Sequence, residues 1–450
     1  MKLYRALVVL TAVLLIGTSA FAQVSSNLTG RASMDGNPLP GVTVTISSPA
    51  LQGTRTTVTD VNGNYNFAAL PPGDYTVRFE MESMQTITRA QRVGLGQTGR
   101  VDVEMSLTAV AEAITVTAAA PAVLETTEVQ SNFTAELVDD LPVQRNFQAQ
   151  ANLAPHVTTN ATFANSTNQL VIAGAPSHEN LYTVNGAVIN ENLRGQIHGL
   201  FIEDAIQETT VLTGAISAEY GRFTGGVVNA ITKSGGNEFS GSFRDSLTNP
   251  TWSEKSFDDQ SDFTDTLNEV YEATLGGRII RDRLWFFAAG RYTETTADQR
   301  LFGTEIPLVF VQENTRLEGK LTGQITPRHN LQASYLDVQQ PEGPYCFLSC
   351  YDMNNVDVNG RELPNSFATL HYSGIFTSNL LGEINYSEKK YAFEGSGGEA
   401  VGDRARGTWG LDPYNVAFFG APVFCGTCGA EERNNDYLDA RLTYYLASRS

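Results

Sequence analysis

Beyond residue 236 apolar and polar positions alternate strictly, in runs that predict strands of about nine to eleven residues. Leu317, Gly319, Leu321, Gly323 and Ile325 alternate with Arg316, Glu318, Lys320, Thr322 and Gln324. Tyr271, Ala273, Leu275, Gly277 and Ile279 do the same against Glu272, Thr274 and Arg278, and Leu438, Ala440, Leu442, Tyr444 and Leu446 against Asp439, Arg441 and Thr443. One face of these strands is charged and the other carries Leu, Ala, Gly and aromatics, which predicts a transmembrane antiparallel β-barrel rather than one face of a soluble sandwich. Connections alternate in length as well: Thr326-Pro-Arg-His329 is tight, whereas residues 340–363 and 394–433 are long. About eight strands fit before Ser450, enough to close a small barrel. Such a barrel has no lumen for the globule of about 110 residues that precedes it, so the expectation is the first strands of a large barrel, truncated within residues 236–450.

Residues 23–107 show shorter alternating runs. Val42-Thr-Val-Thr-Ile46, Tyr75-Thr-Val-Arg-Phe79 and Val101-Asp-Val-Glu-Met105 are separated by the turn residues Asn37-Pro38, Asn62-Gly63 and Pro71-Pro72-Gly73, predicting a small β-sandwich. Asp60-Val-Asn-Gly-Asn64 has the beginning of a calcium loop, but Tyr65 and Pro71 stand where that loop needs Gly and Glu. A hairpin turn with Asn-Gly supplying positive φ is the expectation there. Residues 108–123 are rich in Ala, Val and Thr without turn chemistry and read as a linker, or as a strand offered to a partner. Residues 124–235 are mixed: short helices over 135–141, stopped by Pro142, and 146–153, then strand pieces including a hairpin at Asn185-Gly186. That is an α+β globule within a mainly β chain.

The start of the chain changes where all this must sit. Lys2 and Arg5 precede an apolar run over residues 6–17 and then Ala20-Phe-Ala22, the form of a secretory signal peptide occupying residues 1–22. No later stretch supplies the roughly 18 consecutive apolar residues of a membrane helix, so any spanning must be done by strands. The formal charge of −19, which becomes −21 once Lys2 and Arg5 are removed, disfavours nucleic acid as a partner. Four cysteines form two close pairs, Cys346 with Cys350 and Cys425 with Cys428. Behind a signal peptide, local disulfides lead, with cross-pairing and a metal or redox site as alternatives. No triad, phosphate-cradling glycine loop or metal-spaced histidine set is present, so neither catalysis nor a cofactor is expected.

A specific resemblance begins at Ile206-Gln-Glu-Thr-Thr-Val-Leu-Thr-Gly and continues through Ala218-Glu-Tyr-Gly-Arg222 and Gly225-Gly-Val-Val-Asn to Lys233-Ser-Gly-Gly. It resembles the end of the plug domain in TonB-dependent outer-membrane receptors, and most closely their Oar-like branch with its N-terminal carboxypeptidase-regulatory-like sandwich. Gly30, Pro40-Gly-Val42, Gly63-Asn-Tyr65 and Pro72-Gly-Asp-Tyr75 are similar to that sandwich, while Leu141-Pro142, Asn152-Leu-Ala-Pro155, Ala173-Gly174 and Asn185-Gly186 are similar to the plug. The resemblance implies that Ile114, Thr115, Val116 and Thr117 form the box that a TonB-type inner-membrane energy transducer captures by strand addition. A single acidic residue, Glu112, precedes the run, and Ala113 departs from the pattern. Glu219 and Arg222, with Gly225 and Gly226, read either as static packing and ion pairing or as a latch that releases when the plug is pulled.

The leading expectation is a transporter in the outer membrane, with sandwich and plug on the periplasmic side. It would take up a scarce glycan, peptide or metal chelate through a barrel surrounded by outer-membrane lipid. The alternative is a surface-binding, adhesion or export-linked protein that keeps the barrel as an anchor. In that reading Tyr65 and Tyr75 of the sandwich, similar to modules associated with carbohydrate binding, would stack on sugars, although alternation places both in the core.

Overall fold

The computed structural model describes residues 26–107, 123–124, 129–141, 147–160, 169–191, 201–216, 220–252, 265–301, 306–344, 360–377, 380–394, 409–411, 418–420 and 431–444, apart from 49, 52, 95–96 and 327, together with residues 197, 304, 353 and 356. The signal peptide, the box candidate at 114–117, Glu219 and all four cysteines lie outside these residues.

Two sheets face each other in the N-terminal sandwich. One is antiparallel in the order Gly53–Val58, Thr43–Ser48, Gly73–Glu80, Ile87–Val93. The other is built on Ser26–Met34, which pairs antiparallel with Asn64–Leu70 and parallel with Thr98–Arg100 and Val103–Glu104. The alternating residues meet between them: Val44, Ile46, Tyr75, Val77, Phe79, Val101, Val103 and Met105 are buried with Leu28 and Tyr65. Tyr65 and Tyr75 are core residues, and the Tyr65 hydroxyl donates to the Val101 carbonyl at 2.6 Å.

Two turn expectations are corrected. Asn62-Gly63 does not close a hairpin, because Gly53–Val58 pairs with Thr43–Ser48 while Asn64–Leu70 belongs to the opposite sheet. Asp60 Oδ1 accepts from the Asn62 and Asn64 amides, an Asx turn that reverses the chain without specifying its partner, and only Gly63 has φ positive. Asn37-Pro38 is likewise not a turn but the returning strand of a hairpin whose reversal is Asp35-Gly36, at φ 51° and 77°.

Within the α+β globule the sheet order is Val129–Thr134, Ile206–Gly214, Val227–Thr232, Leu181–Val184, Ala187–Val188. Val227–Thr232 runs parallel to Leu181–Val184 and antiparallel to Ile206–Gly214, and every one of its residues is buried, as a strand covered on both faces must be. Asn185 and Gly186, at φ 50° and 77°, make the expected hairpin. The helix Ala135–Asp140 starts where the Thr134 hydroxyl accepts from the Leu137 amide and stops at extended Leu141 before Pro142. The second helix is shorter than expected, Phe147–Ala151, its end tightening into turns before Pro155.

Eight long strands then form one antiparallel meander: Ser240–Thr248, Asn268–Ile280, Leu284–Arg300, Pro307–Thr326, His329–Gln339, Asn365–Thr377, Leu380–Phe393 and Asn435–Tyr444. Several are longer than the expected nine to eleven residues. Leu284–Arg300 and Pro307–Thr326 stay paired from Leu284↔Gly323 to Arg300↔Pro307, so a hairpin stalk continues well past the length a bilayer needs. The tight reversals after Ile280, Thr326 and Thr377 all lie at one end, and the long connections at the other. Burial is inverted relative to a soluble sheet. Leu317, Leu321, Ile325, Leu438 and Leu442 are exposed, Leu442 at 69 %, while Glu272, Glu318, Lys320 and Asp439 are buried, Lys320 at 4 % exposure. Among the described residues Ser240–Thr248 and Asn435–Tyr444 each pair on one side only, so the sheet is an open wall.

Two outcomes follow. An arginine at outward-facing Leu321 meets lipid at mid-strand, so Leu321→Arg should cost about 2–4 kcal/mol, measured as a lower urea midpoint for the full-length protein in lipid vesicles; an unchanged midpoint would place that face in water. In the sandwich, the Ser33 hydroxyl and the Gly36 amide hold the exposed Glu104 carboxyl below the usual glutamate range. Its charge therefore favours the folded state above the ordinary value of about 4.3, and that contribution disappears as pH falls through the lower folded-state value. Glu104→Gln should flatten the acid limb of the melting-temperature profile, and an unaltered limb would show that the carboxylate contributes nothing.

The seat of the globule against the wall as candidate functional site

The globule sits against the charged face of the wall, and the wall's donors meet it in order along the strands. Arg244, on Ser240–Thr248, reaches Asp204 at 3.0 Å and Asp139 at 3.4 Å. Arg291, on Leu284–Arg300, pairs with Glu203 and lies 3.7 Å from Glu272. Arg316, one strand on, donates to the Phe201 carbonyl at 2.7 Å and lies 3.8 Å from Glu203. Lys320 donates to the Thr232 carbonyl at 2.9 Å. Lys389 donates to the Ile189 carbonyl at 2.7 Å, and Arg433 pairs with Glu191 at 2.6 Å.

Two short pieces of chain take most of these contacts, Phe201–Asp204 and Ile189–Glu191. Neither is a strand, Glu203 and Asp204 opening a short 3-10 helix, so their carboxylates and the Phe201 and Ile189 carbonyls can accept from the wall. Cations on wall strands and acceptors on the globule are complementary, and each is removed from water by the other. A buried pair of this kind is costly to break from one side, because the partner is left as an uncompensated charge. Apolar contact completes the seat: Phe287, Ala289, Leu336, Val338 and Phe367 of the wall share one cluster with Phe147, Tyr182, Phe201 and Ile202.

At its far end the seat is tied to the bases of two long connections. The Arg433 guanidinium lies 4.6 Å from the centre of the Phe393 ring, and Arg361, 2.5 Å from Glu342, lies 5.5 Å from the same ring.

Of the residues singled out from the sequence, Gly225 and Gly226 have a packing role. A Cβ on Gly226 would meet Ile172 Cγ2 at 2.3 Å and the Leu212 carbonyl oxygen at 2.6 Å, and one on Gly225 would meet Asn180 Oδ1 at 2.1 Å. Asn180, which the sequence did not mark, is the hub of this turn: its Oδ1 accepts from the Gly226 amide at 3.0 Å while its Nδ2 donates to the Leu170 carbonyl. Arg222 is exposed, at φ 62°, and has no ion pair among the described residues. Glu203, Asp204, Glu191 and their wall partners were legible only as charges on an alternating face.

Two family models match in this order: the carboxypeptidase regulatory-like domain over residues 27–106 and the TonB-dependent receptor plug domain over 122–228. The TonB-dependent transporter Oar of Myxococcus xanthus is 36 % identical over 301 residues, which is 62 % of this chain and 28 % of the relative. The chain thus spans just over a quarter of the curated relative it matches. Similar solved structures include the outer-membrane transporter YddB from Escherichia coli, at 15 % identity and TM-score 0.47 over 59 % of this chain and 39 % of that one. The siderophore receptor PirA from Acinetobacter baumannii is similar at 21 % identity and TM-score 0.47, over 60 % and 41 %. Together the two family models and this relative support a TonB-dependent receptor of the Oar-like type and indicate the outer membrane as its location. The globule is its plug, the open sheet is barrel wall, and the tight-turn end is the periplasmic one.

Glu203 is the carboxylate shared by two wall arginines, so Glu203→Gln should loosen the plug by about 3–5 kcal/mol, the range for breaking a buried pair from one side. Earlier proteolytic release of the plug along a urea series, with the barrel intact, is the expected result; wild-type release would show that the apolar patch alone holds it.

Proposed function

We propose that this protein is a TonB-dependent transporter that takes a scarce nutrient through a barrel larger than the described wall. In this reading a TonB-type transducer pulls residues 114–117 and so moves the plug. The observation that carries the reading is the seat itself: a globule held inside a wall by carboxylate–guanidinium and lysine–carbonyl contacts is held firmly in place, yet each group can be solvated by water once the globule shifts. Among the described residues the first and last wall strands each pair on one side only, which fits a wall and not a closed small barrel.

The position of Ile114–Thr117, between the sandwich and the plug's first strand, supports its role as the box, because tension there is carried toward Val129–Thr134 by way of Val123–Leu124. A glycan, a peptide or a metal chelate is the proposed substrate class. Latch action by Glu219 and Arg222 remains part of the proposal, alongside the ties through Glu203 and Glu191. The surface-binding alternative has less support, since both tyrosines offered for sugar stacking are core residues.

Deleting residues 114–117 tests this. Nutrient-limited growth that depends on the receptor should be lost to the level of a full deletion, while receptor abundance and surface exposure stay unchanged. Growth that survives the box deletion would exclude an energised transporter and restore the anchor reading.

A further inference from the structure

The sandwich is not a free appendage. On the plug side, Arg92 Nη2 lies 3.5 Å from Glu208, a residue of Ile206–Gly214 whose side chain is only 2 % exposed, and the Gln207 side chain donates to the Pro72 carbonyl at 3.4 Å. Gly94 abuts the plug's edge strand so closely that a Cβ there would lie 2.4 Å from Asn132 Nδ2. On the wall side, Ala68 is buried against Leu381 and Ile375, a cross-strand pair beside the tight reversal after Thr377. That reversal marks the periplasmic end. The sandwich therefore lies across the periplasmic mouth, and between it, the plug and the wall is a cavity of about 430 Å³ lined by Arg55 and Pro72, Gln207 and Lys233, Trp285 and Lys320.

The chain's path links this docking to the box. Leu107 bridges to Met84, and Val123–Leu124 pairs antiparallel with the sandwich edge strand Thr98–Arg100. Both ends of residues 108–122 are thus fastened to the sandwich, so a pull on 114–117 loads the sandwich at Thr98–Arg100 before it reaches Val129. Its contacts suit release. Arg92 is 43 % exposed, so the ion pair is half in water and weak, and the apolar contact is a single alanine against two side chains.

The geometry points to the sandwich as a periplasmic clamp: docked on plug and wall, it closes the chamber at the barrel mouth, and the pull that moves the plug first releases it. This inference rests on the transporter reading for its source of force.

Two cysteine pairs in the full-length receptor test it in living cells, Ala68→Cys with Leu381→Cys for the wall contact and Gly94→Cys with Asn132→Cys for the plug contact, each read against its single variants with a short bis-maleimide. In cells de-energised by a protonophore both pairs should cross-link efficiently. In energised cells growing on the native nutrient mixture the yield should fall several-fold, and removing residues 114–117 should restore it. Absence of both cross-links in de-energised cells, with the barrel shown intact by its heat-modifiable migration, overturns the docking. Equal, high yields in energised and de-energised cells overturn the release. A fall that is the same with and without the box upholds the clamp and contradicts the transporter reading's force path instead.

Discussion

A wall whose outward face meets lipid must turn its charges inward, and everything else in the structure answers to that constraint. Backbone groups are satisfied along the meander by strand pairing, but side chains such as Glu318, Lys320 and Lys389 are left facing a lumen. Buried without partners they would cost several kcal/mol each, on the order given for desolvated ions. The plug supplies partners at Phe201–Asp204, Ile189–Glu191 and Thr232. The seat therefore stabilises the wall as much as the wall holds the plug. Such a seat differs from a hydrophobic core in what happens when it opens, because water can hydrogen-bond to every exposed guanidinium and carboxylate but to none of the exposed methyls. Among the described residues the patch around Phe287, Leu336, Val338 and Phe367 is what opposes movement in the hydrophobic way.

The plug's sheet order decides how a pull would be felt. Among the described residues Val129–Thr134 is the edge strand, paired only with Ile206–Gly214, and its N-terminal residue Val129 lies opposite Gly214. A pull that reached Val129 would enter at that rung and load the ladder one pair at a time toward Thr134. Val227–Thr232, buried on both faces at the centre of the sheet, is followed directly by the link to the first wall strand, and Lys320 holds its end through the Thr232 carbonyl. The globule thus turns its edge strand toward the linker while its central strand is tethered to the wall.

The sequence disclosed periodicity and little about pairing. Leu317 to Ile325 could be assigned to lipid and Glu318 and Lys320 to the lumen because a period of two with charges on one side has few other solutions. The turn at Asp60–Asn64 was legible as a turn, yet its Asx geometry serves a hairpin and a crossover equally well, and the choice was made by strands far away, Ser26–Met34 and Thr43–Ser48. Asp35-Gly36 carries the reversal, but the neighbouring Asn37-Pro38 has the same turn chemistry, so composition alone does not separate the two. The seat was illegible for a stronger reason: Glu191 and Arg433 are 242 residues apart, and no local pattern says which inward charge meets which plug carboxylate. Gly225 and Gly226 were marked by their resemblance to a motif, but the residue that makes them necessary, Asn180, carries no signal of its own.

Among these ion pairs burial is deepest at the far end of the lumen. At the far end Glu191 and Arg433 are almost wholly enclosed, and the guanidinium is further fixed over Phe393, which Arg361 approaches as well. Midway, Glu203 meets Arg291 and Arg316 with modest exposure. At the periplasmic mouth Arg92 is half in solvent. Coulombic attraction is weakest where water screens it and strongest where it is excluded, so the same charge pairing gives a loose contact at the mouth and a firm one near the outer loops. Glu191 with Arg433, the most enclosed of these pairs, is also the one joined to the bases of the long outer connections.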